Sequence, residues 1–106
     1  MVVVEIKSLE EFNQVLKDNP RVVVDFTASW CPPCRMIKPV FAKLSEEKGE
    51  IKFVSVDVDE VAPVAQEYGI SAMPTFLFFK DGKQVDDLRG AVPPELTSKV
   101  TALATC

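Results

Sequence analysis

Arg21-Val22-Val23-Val24-Asp25-Phe26-Thr27-Ala28-Ser29-Trp30-Cys31-Pro32-Pro33-Cys34 is the stretch from which the fold can be read. Val22, Val23, Val24 and Phe26 form a nearly unbroken β-branched and aromatic run, which predicts a strand covered on both faces at the centre of a sheet. Beyond the cysteines, Met36, Ile37, Val40, Phe41 and Leu44 recur at helical spacing, and Gly49 stands where a glycine just past the last turn would end that helix. Pro39 falls inside it, so a kink near residues 35 to 39 is expected. The two cysteines therefore lie where a central strand hands over to a helix.

Outward from this unit, apolar segments alternate between strand and helix character. Val2, Val3, Val4 and Ile6 read as a first strand; Ser8 with Glu11 three residues later makes a capping box. The helix it opens buries Leu9, Phe12, Val15 and Leu16 and stops by Asn19, before Pro20. Residues 51 to 58 read as a third strand, with Asp59 as the N-cap of a short helix that carries Val61, Val64, Ala65 and Tyr68 on one face and ends at Gly69. Thr75 to Phe79 and Gln84 to Arg89 flank an Asp81-Gly82 pair, a strong hairpin signal. Pro93 and Pro94 open a last helix with Leu96, Val100 and Leu103 on one face. The order β-α-β-α-β-α-β-β-α predicts an α/β fold, a mixed five-stranded sheet with four helices on both faces, in a single domain spanning residues 1–106.

Hydrophobic residues make up 47% of the 106, enough for a core without metal or disulfide staples. Twelve basic against sixteen acidic residues give a net charge of -4, the wrong sign for a protein that neutralises phosphates, so no nucleic-acid partner is expected. No apolar run approaches the ~20 residues of a membrane span. Met1 to Ile6 lacks the basic and long apolar regions of a secretory signal. Three cysteines are too few for a secreted disulfide framework, and a reducing, cytoplasmic setting is expected.

Cys31, at a helix N-terminus, would have its thiolate favoured by the helix macrodipole and by unpaired backbone N–H groups. Those effects are worth roughly 0.3 to 2 kcal/mol. One pKa unit is about 1.4 kcal/mol, so the helix end can lower a thiol by about one unit. Cys34, one turn on, is within disulfide reach and turned inward, as a resolving thiol should be. The same spacing also makes half of a zinc or iron–sulfur site, which needs four ligands; the chain has no histidine and no second Cys-x-x-Cys, which weighs against metal. Asp25 is a lone carboxylate in an apolar strand. At an edge it would simply face solvent. In a central strand burial would raise its pKa and make it a general base for Cys34, acting through a water.

Trp30-Cys31-Pro32-Pro33-Cys34, Asp25-Phe26, Pro39, Met73-Pro74-Thr75 and Gly90-Ala91 together resemble the thioredoxin family, from residue 1 to about 105. The resemblance implies a thioredoxin fold and an electron carrier that reduces protein disulfides and is re-reduced by thioredoxin reductase with NADPH, with no cofactor bound on this chain. It implies a cis bond before Pro74, the backbone of Met73 pairing with an extended substrate, and Trp30, Pro74, Gly90 and Ala91 as an apolar rim around Cys31. Read without the family, Gly90-Ala91 is a loop. Two departures stand out. Pro32 replaces the usual glycine, a variant similar to some h-type plant members, so that Pro32 and Pro33 tune the redox properties of the loop by removing a backbone donor. The lysine that many bacterial members carry near the buried aspartate is matched by Ser55, so Asp25 is expected to lack cationic help.

Two other function classes stay open on the sequence. A disulfide oxidant or isomerase is one, although its relatives typically place histidine where Pro33 stands; a redox-dependent protein-binding module is the other. The chain is expected to be monomeric. Cys106 is expected at a frayed terminus, with a weak or disulfide-linked dimer as the alternative.

Overall fold

In the computed structural model, which describes residues 2–106, the chain runs β1 (Val3–Glu5), α1 (Leu9–Asp18), β2 (Arg21–Thr27), α2 (Pro32–Glu47), β3 (Lys52–Asp57), α3 (Ala62–Glu67), β4 (Thr75–Lys80), β5 (Lys83–Arg89) and α4 (Pro93–Ala104). Met1, the first residue of the expected domain, lies outside them. Among the described residues the strands form one sheet in the order β1-β3-β2-β4-β5. β2 is its central strand, parallel to β3 and antiparallel to β4. The β-branched run of Val22 to Val24 sits there because both of its faces are covered.

Alternation along β2 sorts the side chains. Val22, Val24 and Phe26 join Ile6, Phe12, Val54, Val56, Val61, Val64, Leu77 and Phe79 in a core beneath α1 and α3. Val23 faces the other way, into a core with Ile37, Phe41 and Leu44 of α2 and Leu96, Val100 and Leu103 of α4. Asp25 shares the face of Val23 by the same period of two. The register sets it beside Ser55 of β3 and Phe76 of β4.

Local signals hold the elements in place, with informative differences from expectation. The Ser8 hydroxyl accepts the Glu11 N–H at 3.0 Å, but the Glu11 carboxylate accepts from the Lys7 N–H at 2.6 Å, one residue before the donor of a standard capping box. Asp59 does not cap α3, whose N-cap is Val61. The turn before it is tied instead by the Asp57 carboxylate, which accepts from the Asp59 N–H at 2.8 Å and the Glu60 N–H at 3.3 Å. At the other end of α3, Gly69 adopts φ 63°. There the Gly69 N–H bonds to the Gln66 carbonyl and the Ile70 N–H to the Ala65 carbonyl, a Schellman stop that only a left-handed residue permits. Gly49 follows the C-cap Lys48 of α2 without entering the left-handed region.

The β4–β5 turn has Asp81 at φ 51° and Gly82 at φ 82°, the positive pair of a two-residue hairpin whose twist matches the strands. Register then slips between Phe78 and Phe79, leaving Val85 as the extra residue of a bulge. The carboxyl terminus is held, not frayed: the Arg21 guanidinium donates to the carbonyls of Leu103 at 3.0 Å and Cys106 at 2.7 Å.

Phe12 has no exposed surface and packs edge-on against Tyr68 and Phe79, with ring centroids 5.5 and 6.0 Å away. It thereby joins α1 to α3 and to the sheet. Truncation there leaves a cavity that its neighbours cannot fill, so Phe12→Ala is expected to cost about 3–5 kcal/mol, read as a lowered urea midpoint at unchanged slope; a loss below about 1 kcal/mol would contradict this packing.

Candidate active site

β2 ends at Thr27, and a three-residue loop, Ala28 to Trp30, leads to Cys31, the N-cap of α2, which is joined to Cys34 by a disulfide with Cα atoms 5.3 Å apart. Pro32 and Pro33 occupy the first two helical positions, where the fixed φ of proline suits the helix and its missing N–H breaks no ladder bond. The consequence for the sulfur is specific. Of the first three helical residues only Cys34 has an N–H, and that group points at Cys31 Sγ, 3.2 Å away. The several donors expected from a helix N-terminus reduce here to one. Its geometry is that of a side-chain N-cap, with sulfur in place of oxygen. Arg35 closes the turn by donating its N–H to the Cys31 carbonyl at 3.3 Å and its guanidinium to the Ser29 carbonyl at 2.9 Å.

Both sulfurs are almost covered, Cys31 at 3% and Cys34 at 2% exposure, in a small cluster with Ala28 against which Met73 and Val58 pack. Asp25 is 4% exposed, so the edge-strand reading is excluded. Its Oδ1 is buried without a hydrogen-bond partner. Burial pushes the carboxyl up from 3.8 to about 7, and the positive charge of Lys38 works against that rise. The cationic help expected to be missing at Ser55 thus comes from α2. Lys38 is four residues after Cys34, on the same helix face, and that spacing was the signal in the sequence that could have found it.

A cavity of about 370 Å³ lies behind the disulfide and is lined by Asp25, Cys34, Lys38 and Ser55 among others. It puts the carboxyl and the inner cysteine on one solvent-connected space. Trp30, outside the cavity lining, is 63% exposed, and its indole N–H donates to Asp59 Oδ2 at 2.9 Å. Asp59, expected as a helix cap, instead anchors the residue next to the disulfide. The Met73–Pro74 peptide is cis, as the resemblance implied. Pro74 itself is buried and its carbonyl accepts the Gly90 N–H at 2.9 Å, so it underlies the rim. Gly90 adopts φ 102°, and half-buried Ala91 packs against the α2–α4 core. Met36, which the helical spacing grouped with Ile37, Phe41 and Leu44 in the apolar pattern of α2, is instead 78% exposed and adds apolar surface one turn into the helix.

Among the described residues no group of three or more His, Cys, Asp or Glu side chains could hold a metal ion, and no helix is long and apolar enough to cross a membrane.

Comparison with known proteins agrees with this geometry. The thioredoxin family model matches residues 3–102. Thioredoxin-2 of Pyricularia oryzae is 49% identical over 102 residues, covering 96% of this chain and 60% of its own length. A thioredoxin H-type of Picea mariana is 59% identical over 83 residues, covering 78% of this chain and 66% of its own. The chain thus spans just under two thirds of each of these relatives. The crystal structure of Malassezia sympodialis thioredoxin superposes with a TM-score of 0.92 at 45% identity, covering 98% of this chain and 95% of that one.

A carboxyl group whose folded pKa lies above its unfolded value binds more protons in the native state between the two. Stability therefore falls as pH rises from about 4 to about 7 and levels off above. The loss is roughly 4 kcal/mol. Asp25→Asn, which cannot ionise, should match the parent oxidised protein within about 1 kcal/mol at pH 4 and exceed it by a few kcal/mol at pH 8; parallel stability curves across that range would contradict the burial argument.

Proposed function

The chain belongs to the thioredoxin family and carries its thiol–disulfide oxidoreductase pair in Cys31 and Cys34; we propose that it reduces disulfides of other proteins and is regenerated by thioredoxin reductase at the expense of NADPH. The observation that carries this is the Cys34 N–H aimed at Cys31 Sγ, with a buried carboxyl behind the pair. In the reduced protein that N–H and the helix N-terminus favour a Cys31 thiolate. The thiolate attacks a substrate disulfide, forming a mixed disulfide and releasing one substrate sulfur as thiolate. Asp25 then takes the Cys34 proton through a water, and the Cys34 thiolate attacks Cys31 Sγ. The second substrate sulfur leaves, the Cys31–Cys34 disulfide closes, and two electrons have passed to substrate.

Each remaining residue has a role in this reading. Pro32 and Pro33 leave Cys31 one backbone donor and so set its potential. Trp30 supplies exposed apolar surface for substrate, the Met73 backbone pairs with an extended segment, and Pro74, Gly90 and Ala91 shape the floor beside it. Recognition through main chain suits many unrelated substrates. The chemistry asks for no cofactor on this chain; the nicotinamide belongs to the reductase. We place the protein in the cytoplasm, acting in electron transport as one monomeric domain, because its cysteine usage suits a reducing compartment.

A coupled assay with thioredoxin reductase, NADPH and insulin tests the proposal. Catalytic NADPH oxidation with insulin precipitation is expected. Cys34→Ser should abolish turnover and accumulate covalent adducts through Cys31. No insulin reduction with either reductase or dithiothreitol would overturn it, and redox-dependent partner binding that survives in a non-cycling variant would favour a binding module.

A further inference from the structure

The sequence of α2 divides its solvent face in two. At about 100° per residue, Pro32, Met36, Pro39 and Val40 fall on the side opposite the buried Cys34, Ile37 and Phe41, with Pro33 at the margin. None of the five carries a charge, and all are exposed except the half-buried Val40. Charge returns on that side only with Lys43, Glu46 and Glu47 in the last turns. A surface helix ordinarily turns its polar side chains to water throughout. Here an apolar strip starts at the residue after Cys31 and runs two turns away from it. Polar groups near the disulfide are kept off it: Pro32 and Pro33 have no N–H to present, the Arg35 guanidinium is held by the Ser29 carbonyl, and Lys38 lines the cavity on the other flank of the helix. Val40 packs against the α2–α4 core, so the strip leads toward α4, whereas Trp30 is tied to Asp59 in the loop after β3.

We infer that Met36 is a specificity-determining residue: with Pro32 and Pro33 it forms an apolar step that takes a large apolar side chain flanking the attacked cysteine of a protein substrate. The inference deepens the proposed reduction of protein disulfides and rests on it. Continuity carries the argument. A substrate sulfur has to reach the almost covered Cys31 Sγ, so the segment that bears it must lie on the surface around that atom, and the strip joins that surface through Pro32. Size selects the occupant. From Pro32 to Val40 the strip is about 12 Å long at the helical rise, room for one or two side chains of an extended segment and far less than a stable dimer buries. Met36 is the largest apolar side chain on it and the most exposed, so it has the most surface to remove from water on contact. An unbranched thioether also adapts to apolar partners of different shape, which suits an enzyme that meets many substrates.

The test uses two disulfide-linked peptides, identical except that leucine or serine flanks the attacked cysteine, with thioredoxin reductase and NADPH as the electron source. The readout is kcat/KM for the leucine peptide divided by that for the serine peptide, in the parent and in Met36→Gln, Met36→Leu and Lys43→Gln. Both peptides draw on the same reductase and the same dithiol, so any change in regeneration or in sulfur reactivity cancels in the ratio. Residues 36 and 43 are exposed, so the variants should fold. Met36→Gln keeps the length but not the apolar end and should lower the ratio roughly fivefold, the scale of partly burying one methionine side chain. Met36→Leu should stay within about twofold of the parent. Lys43→Gln, on the same helix face two turns on, should leave the ratio where it was. A ratio that Met36→Gln does not lower would overturn the inference, as would a fall equally large in Met36→Leu or Lys43→Gln. A parent that reduces neither peptide would instead overturn the proposed function beneath it.

Discussion

The bond from the Cys34 N–H to Cys31 Sγ depends on two things arriving together: a helix that starts at the right residue and a sulfur held at its first turn. The two prolines enforce the start, because neither can continue a preceding strand ladder and both suit the first helical turn. They also remove the donors that a less constrained loop would offer, leaving one N–H to do what several often share. The rest of the fold keeps this junction in register. β2 at the sheet centre fixes where the loop begins, and the α2–α4 core fixes the direction in which the helix leaves.

Placing Asp25 in that same central strand has the opposite sign for stability. A carboxyl in an apolar layer, with an oxygen lacking a partner, weakens the native state wherever it is ionised. The fold tolerates it because the two cores on either side of the sheet are closely packed, with Phe41 set edge-on against Phe53 and tilted against Phe76 on the sheet face that Asp25 shares. Stability sacrificed at one residue is consistent with a carboxyl kept near neutrality for proton transfer.

Much of this was legible beforehand. The Val22 to Phe26 run identified the central strand, the Asp81-Gly82 pair the hairpin, and Gly69 the end of α3, because each is a local rule that tertiary context did not override. The Cys-Pro-Pro-Cys spacing and the odd carboxylate at residue 25 marked the site for the same reason. What failed involved choices between near neighbours: Asp57 and not Asp59 ties the turn before α3, and Glu11 reaches Lys7 and not Ser8. Such choices differ by one residue in sequence and by the path of a loop in space. The Trp30–Asp59 bond joins residues far apart in the chain, and the burial of Pro74 follows from its packing, so neither can be read from composition or period.

The most direct measurement is the pH dependence of iodoacetamide alkylation at Cys31 in the reduced protein, with Cys106 replaced by serine so that one exposed thiol does not mask another. The account predicts a midpoint about one unit or more below the ~8.5 of an unperturbed cysteine. A midpoint at or above that ordinary value would mean that neither the helix start nor the Cys34 N–H acts on the sulfur, and the account would be wrong.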